Sequence, residues 1–206
     1  MKFVLFVEGH TEKLAVPQFL KRWLDPRLAR PVGIKISRFE GWNEYARDIR
    51  QKVELNLSGN SGSDVIAGIG LLDLYGPTIY PHEIADVAAR RAWAKEHFER
   101  LTGHPRFRQH FAVHELEAWL LAEPAVLPRA VREALPSTPP EKINFQEPPA
   151  KLLDRLYTSK LNRRYKKTTD GTNLFRALDP AAAYAKCPHL KLLLDDMLLM
   201  AKEAAL

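Results

Sequence analysis

Four carboxylates in this chain stand at or just beyond the ends of apolar runs, a spacing that could gather them around a divalent cation. Glu8 closes the apolar run Phe3-Val4-Leu5-Phe6-Val7. Asp73 closes the run from Val65 to Leu72. Glu115, with Glu117 two residues on, follows Phe111-Ala112-Val113-His114. Continuous apolar runs of this length read as strands buried on both faces, as in a parallel sheet. In open α/β sheets the ligand binds beyond the carboxyl ends of the strands. Neighbouring strands lie ~5 Å apart, so acids at adjacent strand ends can converge. Converged carboxylates repel unless a cation sits among them, and a hard divalent ion such as Mg²⁺ or Mn²⁺ is the usual one.

Taken singly, each acid also has an ordinary structural reading. Glu8 and Glu12 favour the dipole of the helix that follows them. Asp73 opens the turn Leu74-Tyr75-Gly76-Pro77, where aspartate is common. Glu115 and Glu117 share a face only if the backbone there is extended, so one is expected to be a ligand and the other a surface charge. His10 reads as a turn residue. The basic counterpart is segment 160–167, where Lys160, Arg163, Arg164, Lys166 and Lys167 carry five positive charges with no acid among them. A solvated surface is the usual meaning of such a run, and beside an acidic metal site it reads as phosphate binding. Tyr165 within it either stacks on a base or packs inward.

Other chemistries are excluded by missing residues. His114-Glu115-Leu116-Glu117-Ala118 lacks the second histidine of a zincin. Gly68-Ile69-Gly70 lies inside a strand and lacks the third glycine of a dinucleotide fingerprint. No P-loop is present, so ATP hydrolysis by this chain is not expected. No serine or cysteine nucleophile sits in an elbow, and Cys187 reads as structural.

The elements that must position the acids follow from periodicity. Strands are expected over residues 2–7, 31–39, 65–73 and 107–113. Helices are expected over 12–24, capped by Thr11 and kinked or delayed by Pro17, over 41–57, where Tyr45, Ile49, Val53 and Leu57 recur every fourth residue, over 82–101 and over 115–122. This alternation predicts an α/β layered domain with a mainly parallel four-stranded sheet over residues 1–123. Seven prolines between 124 and 149 make that stretch a connection rather than a strand. Helices over 150–157, 173–186 and 190–205 form a small C-terminal appendage, residues 150–206, packed on the sheet domain.

The 206 residues suit one domain with an appendage. A single cysteine rules out a disulfide framework and a multi-cysteine zinc site, and fits a reducing cytoplasm. No apolar stretch is long enough to span a bilayer and no secretory leader opens the chain, so no membrane partner is expected. With 31 Lys and Arg against 25 acids, the net charge of +6 is compatible with nucleic acid.

Val7-Glu8-Gly9, followed by a strand-end aspartate, resembles the Toprim fold, a Rossmann-like domain shared by topoisomerases, bacterial primases and OLD-type nucleases. Its pattern has a glutamate and glycine after the first strand and a D-x-D after the third. Asp73-Leu74-Tyr75 matches only the first of those two acids. The chain also resembles the Toprim-like DUF4276 family. The matching strings are Val7-Glu8-Gly9-His10-Thr11-Glu12, Leu72-Asp73-Leu74-Tyr75-Gly76, His114-Glu115-Leu116-Glu117-Ala118-Trp119-Leu120-Leu121, Pro149-Ala150-Lys151 and Cys187-Pro188-His189. The resemblance implies a Toprim-like fold, and it implies an AAA-type ATPase partner in phage defence.

The leading expectation is a Mg²⁺- or Mn²⁺-dependent phosphodiester enzyme, a nuclease on DNA or RNA. Glu8 would be metal ligand or general acid/base, and Asp73 and Glu115 would hold one or two ions with Glu117 in reserve. Lys166 or Lys167 would neutralise phosphate charge. The missing second acid leaves two-metal binding open, and a homo-oligomer is open as well. The alternative is a non-catalytic module that senses nucleic acid or docks on an ATPase, and a small-molecule phosphohydrolase is a third reading.

Overall fold

A computed structural model describes residues 1–205, apart from the side chains of His10, Thr11, Glu12 and Ser61. The expected Thr11 cap and the side chains of His10 and Glu12 therefore lie outside the described residues.

Four strands, β1 (Lys2–Val7), β2 (Gly33–Arg38), β3 (Val65–Asp73) and β4 (Phe107–Ala112), form one parallel sheet in the order β2-β1-β3-β4. The chain leaves β1 for β2 on one side and then crosses to β3 on the other. The order of strands thus reverses between β1 and β3, which is where open α/β sheets build ligand sites. Glu8 follows β1 and Asp73 ends β3, so the two acids flank this point.

Every residue of β3 is buried, as its unbroken apolar run requires. Alternation along β1 splits the interior into two layers. Phe3, Leu5 and Val7 join α1 (His10–Leu24) and the C-terminal helices in one core, and Val4 and Phe6 join α2 (Trp42–Leu57) and α3 (Val87–Thr102) in the other. Tyr45, Ile49, Val53 and Leu57 form the buried face of α2, as their fourfold spacing predicts.

The strand glycines serve packing. A Cβ on Gly70 would lie 2.2 Å from the Tyr45 hydroxyl and 2.3 Å from Gln109 Oε1. Only a bare backbone leaves room for the buried hydrogen bond that Tyr45 donates to Gln109 at 2.6 Å.

Several boundaries differ from the periodicity. α1 begins at His10 with Gly9 as its N-cap, so Pro17 does not delay it. α3 begins at Val87 because Asp86 caps it, accepting the Ala89 N–H at 2.8 Å. The helix after β4, α4, is short (Glu117–Leu121). The proline-rich stretch holds the short helix α5 (Arg129–Arg132) between turns, and Pro149 opens α6 (Pro149–Leu161) at its first position. The expected helix 173–186 is two, α7 (Thr172–Ala177) and α8 (Pro180–Lys186). Pro180 offers no N–H to continue α7 and disfavours a helical Asp179, whose carboxylate caps α8 instead. The chain closes with α9 (Pro188–Glu203). No helix among the described residues is long and apolar enough to cross a membrane.

Candidate functional site

Lys167 joins the acids. Its ammonium lies 3.5 Å from Glu115 Oε1 and 3.3 Å from Glu117 Oε2. Burial alone would push the ammonium down, but the charges of Glu117, Asp73 and Glu115 outweigh it and hold Lys167 above the usual lysine range. Three carboxylates thus act on one cation beyond the carboxyl ends of β3 and β4. Glu115 and Glu117 are 6% and 2% exposed. Neither is the surface charge expected of one of them. The Lys167 side chain is 45% exposed, so it reaches the acids from the solvent side.

Backbone donors fix the acids from behind. Asp73 Oδ1 accepts the Leu116 N–H at 3.0 Å, which ties the end of β3 to the turn before α4. Glu115 Oε2 accepts the Ala150 N–H at 2.8 Å, in the first turn of α6. The first-turn N–H groups of a helix have no intrahelical partner and carry partial positive charge. The carboxylate supplies the partner, and its other oxygen stays turned to Lys167. The string Pro149-Ala150-Lys151 gains a role from this contact, and nothing in its residue types signals it beyond the proline that marks a helix start.

The rest of the basic run is not one positive face. Arg163 makes a two-pronged pair with Asp170 at 2.8 and 3.0 Å. Asp170 also accepts the Lys166 N–H at 2.9 Å, fixing the turn that carries Lys167. Arg164 pairs with Asp154 at 2.6 Å. Lys160 and Lys166 are exposed. Tyr165 is buried against Tyr157, with ring centroids 5.3 Å apart, and presents no face to a base. Glu8 is half-buried. Burial pushes the Tyr45 and Tyr80 phenols up, and the charge of Glu8 pushes them further.

Asp73, Glu115 and Glu117 present hard oxygens, the donor type that suits Mg²⁺ or Mn²⁺. Among the described residues, no group of three or more His, Cys, Asp or Glu side chains is arranged to hold a metal ion. The donor chemistry fits a hard cation, and the Lys167 ammonium stands at the point for which such an ion would compete.

A second polar cluster lies under α9. Glu141 accepts the N–H groups of His189 at 2.9 Å and Leu190 at 3.2 Å, capping that helix. Burial pushes its carboxyl up to about 7 against the pull of those two donors. Cys187, the N-cap residue, is fully buried, and burial pushes its thiol well up, in keeping with a structural role. The cap accounts for the string Cys187-Pro188-His189.

The sequence profile of a family described as a domain of unknown function, DUF4276, matches residues 7–198. No curated protein matches the chain. Among solved structures, the C-terminal region of the Burkholderia pseudomallei OLD protein is similar at 16% identity and a TM-score of 0.46, covering 95% of this chain and 98% of that one. The C-terminal region of the Xanthomonas campestris pv. campestris OLD protein is similar at 19% identity and a TM-score of 0.40, covering 94% of each.

Proposed function

The chain belongs to the DUF4276 family, and from its own site we propose that it is a metal-dependent phosphodiester enzyme, a nuclease acting on DNA or RNA. The carrying observation is the convergence of Asp73, Glu115 and Glu117 on Lys167 beside the point where the strand order reverses. A purely structural role needs no such concentration of like charge at a sheet mouth.

Glu8, Asp73 and Glu115 would hold Mg²⁺ or Mn²⁺, with Glu117 beside them. Bound there, the ion supplies charge to a phosphate oxygen and lowers the pKa of a water. Lys167 would release its carboxylates and pair with a phosphate oxygen, stabilising the negative charge that grows there. Its half-exposed stem gives it room to do so. The alternative role for Glu8, in place of binding the ion, is to hold or move a proton at the attacking oxygen. Lys160 and Lys166, exposed on the same segment, would draw the polymer toward the site. We extend the proposal, on the Toprim resemblance of the sequence alone, to an AAA-type ATPase partner and a role in phage defence.

One observation favours a second reading, the non-catalytic module that senses nucleic acid or docks on an ATPase. Lys167 already neutralises part of the acid cluster, so the fold does not depend on a metal there. Cleavage assays on single-stranded, duplex and RNA polymers with Mg²⁺ and Mn²⁺ separate the two. The nuclease reading expects cleavage by the wild type and a loss of about a hundredfold or more in Asp73→Asn, Glu115→Gln and Lys167→Met proteins that remain folded. Absence of cleavage by the wild type under every condition supports the module.

A further inference from the structure

Immediately after Asp73, the segment from Leu74 to Tyr80 and the loop carrying Phe145 line an open pocket of about 340 Å³ that the acid chemistry does not use. Its walls are Tyr75, Pro77, Tyr80, Arg90 and Phe145. The Tyr75 and Phe145 ring centroids are 5.7 Å apart with 30° between the planes. The Arg90 guanidinium lies 5.3 Å from the Tyr80 ring and 5.5 Å from the Phe145 ring. Both tyrosines and Phe145 are half-buried, so these rings are not spent on the interior.

The walls are held in place by bonds and ring contacts, among them the His114 ring edge-on to Phe145 at 4.4 Å and the Lys151 ammonium 5.6 Å from the Tyr75 ring. The Tyr80 hydroxyl donates to the Leu74 carbonyl at 3.0 Å, drawing the loop closed. Arg90 Nε donates to the Ile84 carbonyl at 2.8 Å, which fixes the guanidinium. Lys151 donates to the Tyr75 hydroxyl at 3.3 Å. Gly76, at φ 118°, turns the loop through a conformation closed to other residues.

We propose that this pocket seats one unpaired nucleobase of a single-stranded nucleic acid whose phosphate lies at the acid cluster. The inference rests on the nuclease reading of that cluster. Aromatic faces beside a fixed guanidinium are what a base stacks on, whatever its identity. The volume falls within the ~300–1,000 Å³ of small-ligand pockets. The pocket begins one residue from Asp73, and Lys151, which bonds Tyr75, follows Ala150, the donor to Glu115, so the pocket adjoins the acid cluster. A base inside a duplex has both faces covered by its neighbours and cannot enter without being flipped out.

The test is fluorescence anisotropy in EDTA, where binding is read without cleavage. Four probes of equal length serve: oligothymidylate, oligouridylate, the fully abasic phosphodiester strand and the duplex. The wild type is expected to bind the base-bearing single strands about tenfold or more tighter than the abasic strand or the duplex. Phe145→Leu and Arg90→Ala, shown folded by circular dichroism, are expected to lose about tenfold on the base-bearing strands and little on the abasic one. Equal binding of abasic and base-bearing strands by the wild type overturns the pocket, without recourse to any variant. So does unchanged binding by a folded Phe145→Leu protein. If metal-dependent cleavage is seen alongside that result, the nuclease reading stands and the pocket falls. If base-dependent binding is seen with no cleavage under any metal condition, the pocket stands as that of a binder and the nuclease reading falls.

Discussion

Lys167 is the residue on which the site turns. Removing it leaves Glu115 and Glu117 buried with one fewer cation. Lys167→Met is expected to lose about 1–2 kcal/mol in urea unfolding, less than a fully buried pair because nearly half of the lysine is open to water. Mg²⁺ should then raise its melting temperature more than it raises that of the wild type. An unaltered response to Mg²⁺ would place the ion elsewhere. Glu141 makes a separate pH prediction. Its carboxyl is raised from 4.5 to about 7 by burial, so the folded state binds that proton more tightly than the unfolded chain. Its contribution to stability is complete below 4.5 and is lost as pH rises through about 7. At ~1.4 kcal/mol per unit this amounts to about 3 kcal/mol. Thermal melts across that window should fall for the wild type and flatten for Glu141→Gln; equal slopes would contradict the assignment. Of the three acids that meet at Lys167, Asp73 and Glu115 were legible as strand ends, whereas Glu117, which opens α4, read only as a reserve ligand or a surface charge. The donors that orient them, the N–H groups of Leu116 and Ala150, were not, since every residue but proline offers one.

At the scale of elements, periodicity reads well where an element is buried along its length. β3 has nine buried residues, and α2 repeats its apolar face every fourth position. It reads poorly where a single side chain ends the helix. Asp86 trims α3, and Asp179 with Pro180 divides one expected helix into α7 and α8. In both, local capping wins over a continuing apolar pattern. The basic run misleads for a related reason. Arg163 and Arg164 find Asp170 and Asp154, acids outside the segment in which the charges were counted. Gly70 shows the opposite case, a fingerprint-like residue whose meaning is a close approach inside the sheet. Gly70→Ala would force apart Tyr45 and Gln109 and should cost about 1–3 kcal/mol by chemical denaturation. A cost near zero would mean that the two side chains can separate freely.

Across the whole molecule, the C-terminal helices complete the core that α1 begins. Trp119 of α4, Phe19 of α1 and Phe175 of α7 form one three-ring cluster, with centroids 5.6, 5.9 and 6.2 Å apart. Leu190, Leu194 and Met197 of α9 belong to the same buried cluster as Phe3 and Leu5 of β1. Tryptophan fluorescence and far-ultraviolet dichroism should therefore trace one urea transition, and two separated transitions would contradict a shared core. The same packing carries Lys167 and Ala150 to acids far earlier in the chain, which is why the completed site could not be drawn from strand ends alone. The proposal that Glu8, Asp73 and Glu115 hold one cation is tested most directly by Mn²⁺ calorimetry on the wild type and on Glu8→Gln, Asp73→Asn and Glu115→Gln. Micromolar binding by the wild type, lost in at least two variants that remain folded, is the predicted result. No binding by the wild type, with variants equally or more stable, would contradict it.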